Sequence, residues 1–381
     1  MHDVIIVGAG PAGNLAARTL AEKKYEVIVL EEHESPGLPM HCTGFISEET
    51  FRMSRVKPDI YSTIYGAEVT FPNGQSIEVR SDKPKGVMID RVDLEVKMAE
   101  AAQKAGADYC FNERYQGHTV GDAVVVDTTV RPHRGKVLIG ADGANSQIAM
   151  SLGDNRPNEY IRGIQVDVDY AMEDQEMLKL YLGNTVAPGF FAWAIPCGDF
   201  TRIGLCSSWS AGPPSEYLSD ILVRMGFHDK VLKVYSGKIP LGIRPYLSGD
   251  RVLLTGDAAG FVKPLSGGGL YPTFKANAHL MTSITNGLDS DALYSRDLSE
   301  YSRNCMDDFG RELERSYQLR KRYKKLTDSD FNKIYDYIQK NDLIEYAKDI
   351  DIDHPADVVK KVLKVPSLLF SAIPLFMRSV R

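Results

Sequence analysis

A glycine-rich turn near the start of the chain has the residue types and spacing that hold the pyrophosphate of a dinucleotide. Gly8, Gly10 and Gly13 form a Gly-x-Gly-x-x-Gly pattern between a β-branched run and a small-residue helix pattern that takes in Ala12. Gly8 permits the tight turn, Gly10 lets the backbone approach a pyrophosphate, and Gly13 lets the helix lie close to the strand. The N–H groups at the helix start then face the phosphates. Glu31, which follows the next β run, can accept hydrogen bonds from an adenosine ribose.

Two acidic turns follow strand-like runs much further along the chain. Asp142 lies in a Gly-Ala-Asp-Gly turn, and Asp257 lies in a Gly-Asp-Ala-Ala turn. In open α/β sheets, ligands bind at the carboxyl ends of the strands. The pattern therefore predicts that these two turns and the glycine-rich turn meet on one crevice.

The elements that must position these turns come from separate stretches of the chain. Residues 162–208 mostly alternate apolar and polar side chains, which is typical of an antiparallel sheet, whereas helices and buried strands are indicated on either side. The predicted fold is α/β, with a discontinuous Rossmann-like nucleotide-binding domain, an inserted antiparallel β-sheet substrate domain and a helical C-terminal region. The predicted boundaries are 1–60, 86–158 and 237–290 for the first, 61–85 and 159–236 for the second, and 291–381 for the third.

Composition narrows the classes of function. The chain has 381 residues and a net charge of −6, which argues against a nucleic-acid partner. A strand begins at the N-terminus, so we expect no signal peptide, and no apolar run reaches the roughly 20 residues of a membrane span. Five scattered cysteines without a Cys-x-x-Cys pair indicate a reducing compartment, with neither disulfides nor a metal site. We expect a cytoplasmic protein, with peripheral contact at the inner membrane face as an option.

Taken together, the three turns resemble those of the para-hydroxybenzoate-hydroxylase-like flavoproteins, over roughly residues 1–290. The resemblance implies bound FAD, with Arg91 beside the diphosphate and ribityl region and Asp257 bonded to the ribityl chain. It also implies that the backbone of 267–270 faces the flavin pyrimidine edge, where negative charge accumulates on reduction. The FAD-binding residues expected on this basis are Gly8, Gly10, Ala12, Gly13, Glu31, Cys42, Thr43, Phe45, Arg91, Asp142, Asp257, Gly267, Gly268, Gly269 and Leu270.

Two further stretches are similar to the geranylgeranyl reductases, especially the archaeal enzymes that saturate isoprenoid chains of membrane lipids. Residues 42–47 resemble that family's cysteine-containing loop over the flavin, with Gly44 and Phe45 where an acid and a glycine are common. Residues 188–196 resemble its aromatic-x-Trp-x-aromatic-Pro motif, with Phe191 for the usual tyrosine and Ile195 for the usual phenylalanine. These differences bear on chain-length or position preference. The substrate-binding residues implied by the resemblance are Phe191, Trp193, Ile195 and Pro196.

Reduction of an isolated isoprenoid double bond needs a hydride and a proton, delivered in a pocket that excludes water. Cys42 is a candidate catalytic residue, because a thiol is protonated at neutral pH and can donate; it can equally be a small apolar group lining the flavin site. In a strand, Phe191, Trp193 and Ile195 fall on one face. That face is either a wall of an isoprenoid tunnel or the core of the sheet.

The C-terminal region contains two segments, each of which suits either a lipid contact or a role within the protein itself. Residues 362–381 form short apolar pieces broken by two prolines, which suits either a surface-lying membrane contact or packing on the protein's own core. A basic run on a helix suits either a lipid phosphate or a solvated face. Its members are Arg311, Arg315, Arg320, Lys321, Arg322, Lys324 and Lys325.

Two other functions compete with the isoprenoid reductase. One is an oxygen-using hydroxylase or halogenase of the same fold, for which Lys83 and Lys85 are the only candidates for the lysine that such halogenases need. The other is a flavoprotein that relays electrons to a membrane acceptor. No second dinucleotide pattern is present, so the electron donor of a reductase is either transiently bound NAD(P)H or a reduced ferredoxin.

Overall fold

A computed structural model describes residues 1–341, 343–348 and 351–354. The strands in this part of the chain are β1 (His2–Val7), β2 (Val27–Leu30), β3 (Phe45–Ile46), β4 (Ile60–Ile64), β5 (Gly66–Thr70), β6 (Ser76–Arg80), β7 (Gly86–Ile89), β8 (Asp108–Cys110), β9 (Tyr115–Val120), β10 (Val124–Thr128), β11 (His133–Gly140), β12 (Glu159–Val168), β13 (Met177–Leu182), β14 (Phe191–Cys197), β15 (Phe200–Ser208), β16 (Val231–Leu241), β17 (Ser248–Gly249) and β18 (Val252–Leu254). The α-helices are α1 (Pro11–Glu22), α2 (Glu48–Met53), α3 (Arg91–Ala105), α4 (Gln147–Ser151), α5 (Pro214–Met225), α6 (Leu270–Ser290), α7 (Ser295–Cys305), α8 (Arg311–Tyr323), α9 (Asp328–Lys340) and α10 (Ile344–Ala347).

An eight-stranded sheet brings together the three stretches that the sequence assigns to the nucleotide-binding domain. Its main path runs β17-β18-β11-β1-β2-β8, and β10 and β9 extend it from β11. Strands β18, β11, β1, β2 and β8 are parallel along this path. Val7 pairs with Gly140, and Gly140 pairs with Leu254, so the ends of three sequence-distant strands are aligned. The discontinuous Rossmann-like architecture is confirmed.

A seven-stranded sheet forms the inserted layer, in the order β16-β12-β15-β14-β13-β5-β6. Its pairs are antiparallel, except that β13 and β5 run parallel. One face, which carries Ala192 and Leu205, packs against α5 through Leu218. The opposite face carries Trp193 and Ile195 and packs in another apolar cluster, so the predicted common face of these two side chains is confirmed.

A small sheet, in the order β3-β7-β4, connects the two large ones. Helix α3 follows β7 directly, because the carboxylate of Asp90 caps it by accepting hydrogen bonds from the N–H groups of Val92 and Asp93. The helix ends at Gly106, whose φ of 112° lies in the left-handed region that favours glycine. Arg91 is thereby held at the first helical position, beside the crevice.

The C-terminal helices pack back onto both layers. Arg320 of α8 is 1% exposed and donates to the carboxylate of Glu159 and the carbonyl of Gly189. Lys324 donates to the same carboxylate. These two members of the basic run therefore bind the inserted sheet, so the alternative of a lipid phosphate is wrong for Arg320. Among the described residues, no helix is both long and apolar enough to span a membrane. The predicted apolar contact at 362–381 lies outside the described residues.

Candidate functional site

The three predicted turns meet at the carboxyl ends of the parallel strands. A Cβ atom on Gly8, whose φ is 105°, would lie 2.3 Å from the carbonyl oxygen of Ala141. A Cβ atom on Gly256 would lie 2.8 Å from the Cβ of Ala12. Contacts this short leave no room for a side chain, so the backbone of Gly8 packs directly on Ala141 and that of Gly256 packs on the side chain of Ala12. A Cβ atom on Gly10, in contrast, would meet nothing within 4 Å, so this glycine borders open space.

Arg91 is the buried cation of this crevice, with 5% of its surface exposed. Its Nη2 donates to Glu95 at 2.5 Å, while its Nε and Nη1 find no acceptor among the described residues. Burial lowers the pKa of Arg91, but nearby Cys42, Glu95 and Asp257 outweigh that effect and raise it. Buried polar atoms are seldom left without partners. The two free guanidinium nitrogens therefore fit an anionic or hydroxyl-bearing group of the implied FAD.

Asp257 faces the same space from the other side. Burial raises its pKa to about 6, and the positive charges of Arg91, Arg244 and His41 oppose that rise. A Cβ atom on Gly269 would lie 3.1 Å from its Oδ1, which places this carboxyl against the loop that precedes α6. The contact of this carboxylate with the ribityl chain, which the resemblance implies, stays a prediction.

The loop with Cys42 is anchored to the inserted sheet at both of its neighbours. The Oγ1 of Thr43 donates to the Oε1 of Gln165 at 2.9 Å, and the carbonyl of Thr43 accepts from the Nη1 of Arg202 at 2.7 Å. The Nδ1 of His41 lies 2.7 Å from the carbonyl oxygen of Ser236. Cys42 itself is exposed and carries a free thiol. The loop thus presents a thiol at the junction of the two layers.

Aromatic side chains of the inserted sheet approach the loop before α6. Phe190 stacks on Phe191 with ring centroids 4.6 Å apart, and Phe191 meets Trp193 edge-on at 6.1 Å. A Cβ atom on Gly267 would lie 3.6 Å from the Cζ of Phe190 and 3.5 Å from the Cδ1 of Ile239. The apolar face of the sheet therefore borders the loop that the resemblance places at the flavin.

Several predicted site residues have local structural partners. The carboxylate of Asp142 accepts from the Ser146 hydroxyl and from the N–H of Gln147, and burial raises its pKa. The Oε2 of Glu31 accepts from the N–H of Ala9 at 2.7 Å. Both carboxylates brace their turns, and their contacts with FAD stay predictions.

Pro196 and Phe45, from the two predicted motifs, also have partners in neighbouring strands. The carbonyl of Pro196 accepts from the Ser62 hydroxyl at 2.6 Å. Phe45 pairs with Met88 in the small sheet, and its ring would lie 2.8 Å from a Cβ atom on Gly86. Pro196 thus joins the inserted sheet to β4, and contacts of either residue with a ligand are untested.

Sequence reasoning missed Gln165 and one cluster of ligand-type side chains. Gln165, like the predicted Trp193, leaves a buried nitrogen without an acceptor among the described residues. Elsewhere, Cys110, Glu113 and His133 place ligand-type atoms within 4.8 Å of one another. Glu113 already accepts from Thr128 and lies 2.5 Å from the Nε2 of His133. No local motif predicts this cluster, because His133 is 20 residues from Glu113 and only the fold brings their side chains together.

Comparisons with known proteins agree with this geometry. A model of the FAD binding domain family matches residues 1–220. The chain is similar to digeranylgeranylglycerophospholipid reductase from Methanocella arvoryzae, with 28% identity over 352 residues that cover 87% of this chain and 89% of the relative. The corresponding reductase from Methanothrix thermoacetophila is 27% identical over 365 residues, covering 90% and 92%.

Solved structures share the fold. A geranylgeranyl bacteriochlorophyll reductase-like protein from Thermoplasma acidophilum superposes with a TM-score of 0.85 at 20% identity, covering 98% of this chain and 99% of that one. The halogenase PltM, in complex with phloroglucinol and FAD, superposes with a TM-score of 0.69 at 16% identity, covering 94% and 85%. With the family model spanning more than half of its length, the chain belongs to the FAD binding domain family and is an FAD-dependent oxidoreductase.

Proposed function

We propose that this protein is a reductase that saturates isolated double bonds of geranylgeranyl chains, on archaeal-type membrane lipid precursors. The observation that carries the proposal is the contact between the aromatic face of the inserted sheet and the loop before α6, at Phe190 and Gly267. An apolar wall at that position suits a hydrocarbon chain. The similarity to archaeal enzymes named digeranylgeranylglycerophospholipid reductase supports the same substrate class.

Residues of the crevice divide the work of holding the cofactor. Arg91 offers two nitrogens, unpaired within the described part of the chain, for the diphosphate or ribityl region, and Asp257 offers a carboxylate for the ribityl hydroxyls. The open space beside Gly10 admits the pyrophosphate to the helix N-terminus. When bound and reduced, FAD supplies the hydride.

The protein must also exclude water from the double bond and provide a proton. Phe191, Trp193 and Ile195 lie in or against the buried apolar cluster on one face of the inserted sheet, and we propose that this face borders the isoprenoid chain and keeps water from the double bond. We assign the proton to the thiol of Cys42, which is free and stands at the junction of the loop and the sheet. In the other interpretation the thiol only lines the site, and a Cys42→Ala enzyme would keep the wild-type rate.

Nothing comparable supports a halogenase. Lys83 is exposed, and it lies in the turn between β6 and β7. The likeness to PltM, at 16% identity, concerns the fold alone. The electron-relay alternative leaves the aromatic wall without a purpose. For the electron donor we propose transiently bound NAD(P)H or a reduced ferredoxin, and for the lipid substrate a peripheral membrane contact.

One experiment separates these functions. The FAD-loaded protein is reduced with dithionite without oxygen, a geranylgeranyl lipid is added, and the product mass is followed. A gain of two hydrogens per double bond is the expected result. A product that gains oxygen or halide only on aeration, or a flavin that is reoxidised only by a quinone, would contradict the reductase.

A further inference from the structure

A buried ion pair lies beside the loop that precedes α6. The Nζ of Lys263 donates to the Oδ1 of Asp353 at 2.7 Å and to the carbonyl of Ile352 at 2.9 Å. Lys263 is 9% exposed and Asp353 is 6% exposed. The other carboxylate oxygen of Asp353 accepts from the hydroxyls of Ser47 and Thr50 in the cap of α2. Both carboxylate oxygens of Asp353 and the Lys263 ammonium thus have partners within the protein.

Lys263 belongs to the backbone of this loop as well as to the pair. Its N–H donates to the carbonyl of Gly268 at 3.0 Å, and its own carbonyl accepts from the N–H of Gly267 at 2.8 Å. A Cβ atom on Gly268 would lie 3.0 Å from the Cε of Lys263 and 3.5 Å from its Nζ. The ammonium therefore lies directly behind the glycine backbone that the resemblance places at the flavin pyrimidine edge.

His354, Tyr271 and Asp351 also lie close to the pair, and the carboxylate of Asp351 accepts from the N–H of Asp353 at 2.8 Å. His354 lies 2.9 Å from a carboxylate oxygen of Glu312 and 3.1 Å from the hydroxyl of Tyr271. The ring of Tyr271 faces the ammonium of Lys263 at 5.9 Å. Asp353 is thus the carboxylate that directly balances the Lys263 charge, and it reaches the loop from the C-terminal segment 351–354.

We propose that Lys263 and Asp353 are positioning residues that set the reduction potential of the flavin, with the Asp353 carboxylate offsetting the Lys263 ammonium. The inference rests on the FAD placement in the proposed function. A positive charge near the pyrimidine edge stabilises the reduced, anionic flavin, and a negative charge opposes it. In a low-dielectric setting both effects are strong, because solvent does not screen a buried charge.

The two single substitutions then have opposite signs. Asp353→Asn leaves the ammonium unbalanced and favours reduced over oxidised flavin, whereas Lys263→Met leaves the carboxylate unbalanced and favours the oxidised form. We expect each substitution to change the ratio of the affinities for reduced and oxidised FAD at least tenfold. For a two-electron couple this is a shift of about 30 mV in the reduction potential. The double variant should return close to the wild-type potential, and Lys263→Arg, which keeps the charge, should shift it less than Lys263→Met.

The measurement is a potentiometric titration of the FAD-loaded full chain without substrate. Asp3→Asn is the matched control, because it breaks a Lys–Asp pair with Lys136 at the amino end of β1, opposite the crevice. Single variants that shift the potential in the same direction, or that retain FAD without any shift, would overturn the proposal. Lipid saturation is assayed separately, so opposite shifts in a protein that reduces no lipid would refute the function and leave this inference standing.

Discussion

The guanidinium of Arg202 donates a hydrogen bond to the carbonyl of Thr43 across 2.7 Å, between residues 159 positions apart. The same guanidinium forms a two-pronged ion pair with Asp167, at 2.7 and 3.0 Å. Both side chains are less than 10% exposed. A single buried cation therefore joins the cysteine-containing loop to the inserted sheet.

Replacing Arg202 with Met should destabilise the protein by about 3–5 kcal/mol, because it leaves the Asp167 carboxylate buried without its partner. Denaturant unfolding of the wild type and the variant measures the loss. The variant should also free the loop, so that Cys42 reacts faster with iodoacetamide under native conditions. Lys136→Met, in a more exposed pair, is the control and should change stability by less than about 1 kcal/mol. Equal losses in the two variants would contradict the role given to Arg202.

Two glycines of the first turn should respond differently to alanine. Gly8→Ala places a Cβ 2.3 Å from a backbone oxygen at a φ of 105°, so it should unfold or strongly destabilise the domain. Gly10→Ala meets no protein atom within 4 Å, so it should keep the apoprotein's melting temperature but weaken FAD binding. Thermal melting and FAD titration of both variants check this contrast. If Gly10→Ala bound FAD with the wild-type affinity, the result would contradict the placement of the pyrophosphate at this turn.

Arg91→Met should raise the dissociation constant for FAD about 10- to 100-fold, since hydrogen bonds to charged groups contribute about 1.5–3 kcal/mol. Fluorescence quenching of FAD on binding measures the change. Arg251→Met serves as the control, because this arginine is also buried but binds the carbonyls of Gly121 and Lys136. A loss of FAD affinity that is the same in both variants would indicate a general effect of removing a buried arginine.

The raised pKa of Asp257, about 6 against an ordinary 3.8, makes a prediction for apoprotein stability. Between these values the folded state binds more protons than the unfolded one, so this group's contribution to stability falls as pH rises through that window. Asp257→Asn should therefore be more stable than the wild type at pH 7, by about 3 kcal/mol or less. The difference should vanish below about pH 4. Urea unfolding of the two apoproteins between about pH 4 and pH 7 measures this difference in the free energy of unfolding. A difference that does not change with pH would contradict the raised pKa of Asp257.

Cys42→Ala tests the assigned proton donor. Loss of a general acid should slow product formation by about 10²–10⁴-fold, while FAD content and reduction by dithionite stay unchanged. Cys110→Ala, which removes a half-buried thiol from the edge strand β8 of the nucleotide-binding sheet, is the control. A Cys42→Ala enzyme with the wild-type rate would leave the thiol as a lining group only.

Much of the local structure follows from short sequence signals. The Gly-x-Gly-x-x-Gly turn leads into α1 as predicted. Ser47 caps α2, Asn73 and Gly74 lie in the turn between β5 and β6, and Gly106 ends α3, each at a residue type that favours that conformation. Each depends on backbone conformations or hydrogen bonds within a few residues, which residue type alone can select. Alternation along β14 likewise predicts the shared face of Trp193 and Ile195.

The chain's residue order by itself determined the dinucleotide turn, the acidic turns and the α/β class, because these rest on local periodicity and on glycine conformation. Only the tertiary structure decided that two nitrogens of Arg91 find no acceptor among the described residues, that Arg320 is buried against Glu159, and that Asp353 balances Lys263. The two ion pairs join residues that are distant in sequence, and their energies depend on burial and on which charges packing brings together. Such pairings cannot be read from spacing along a single chain.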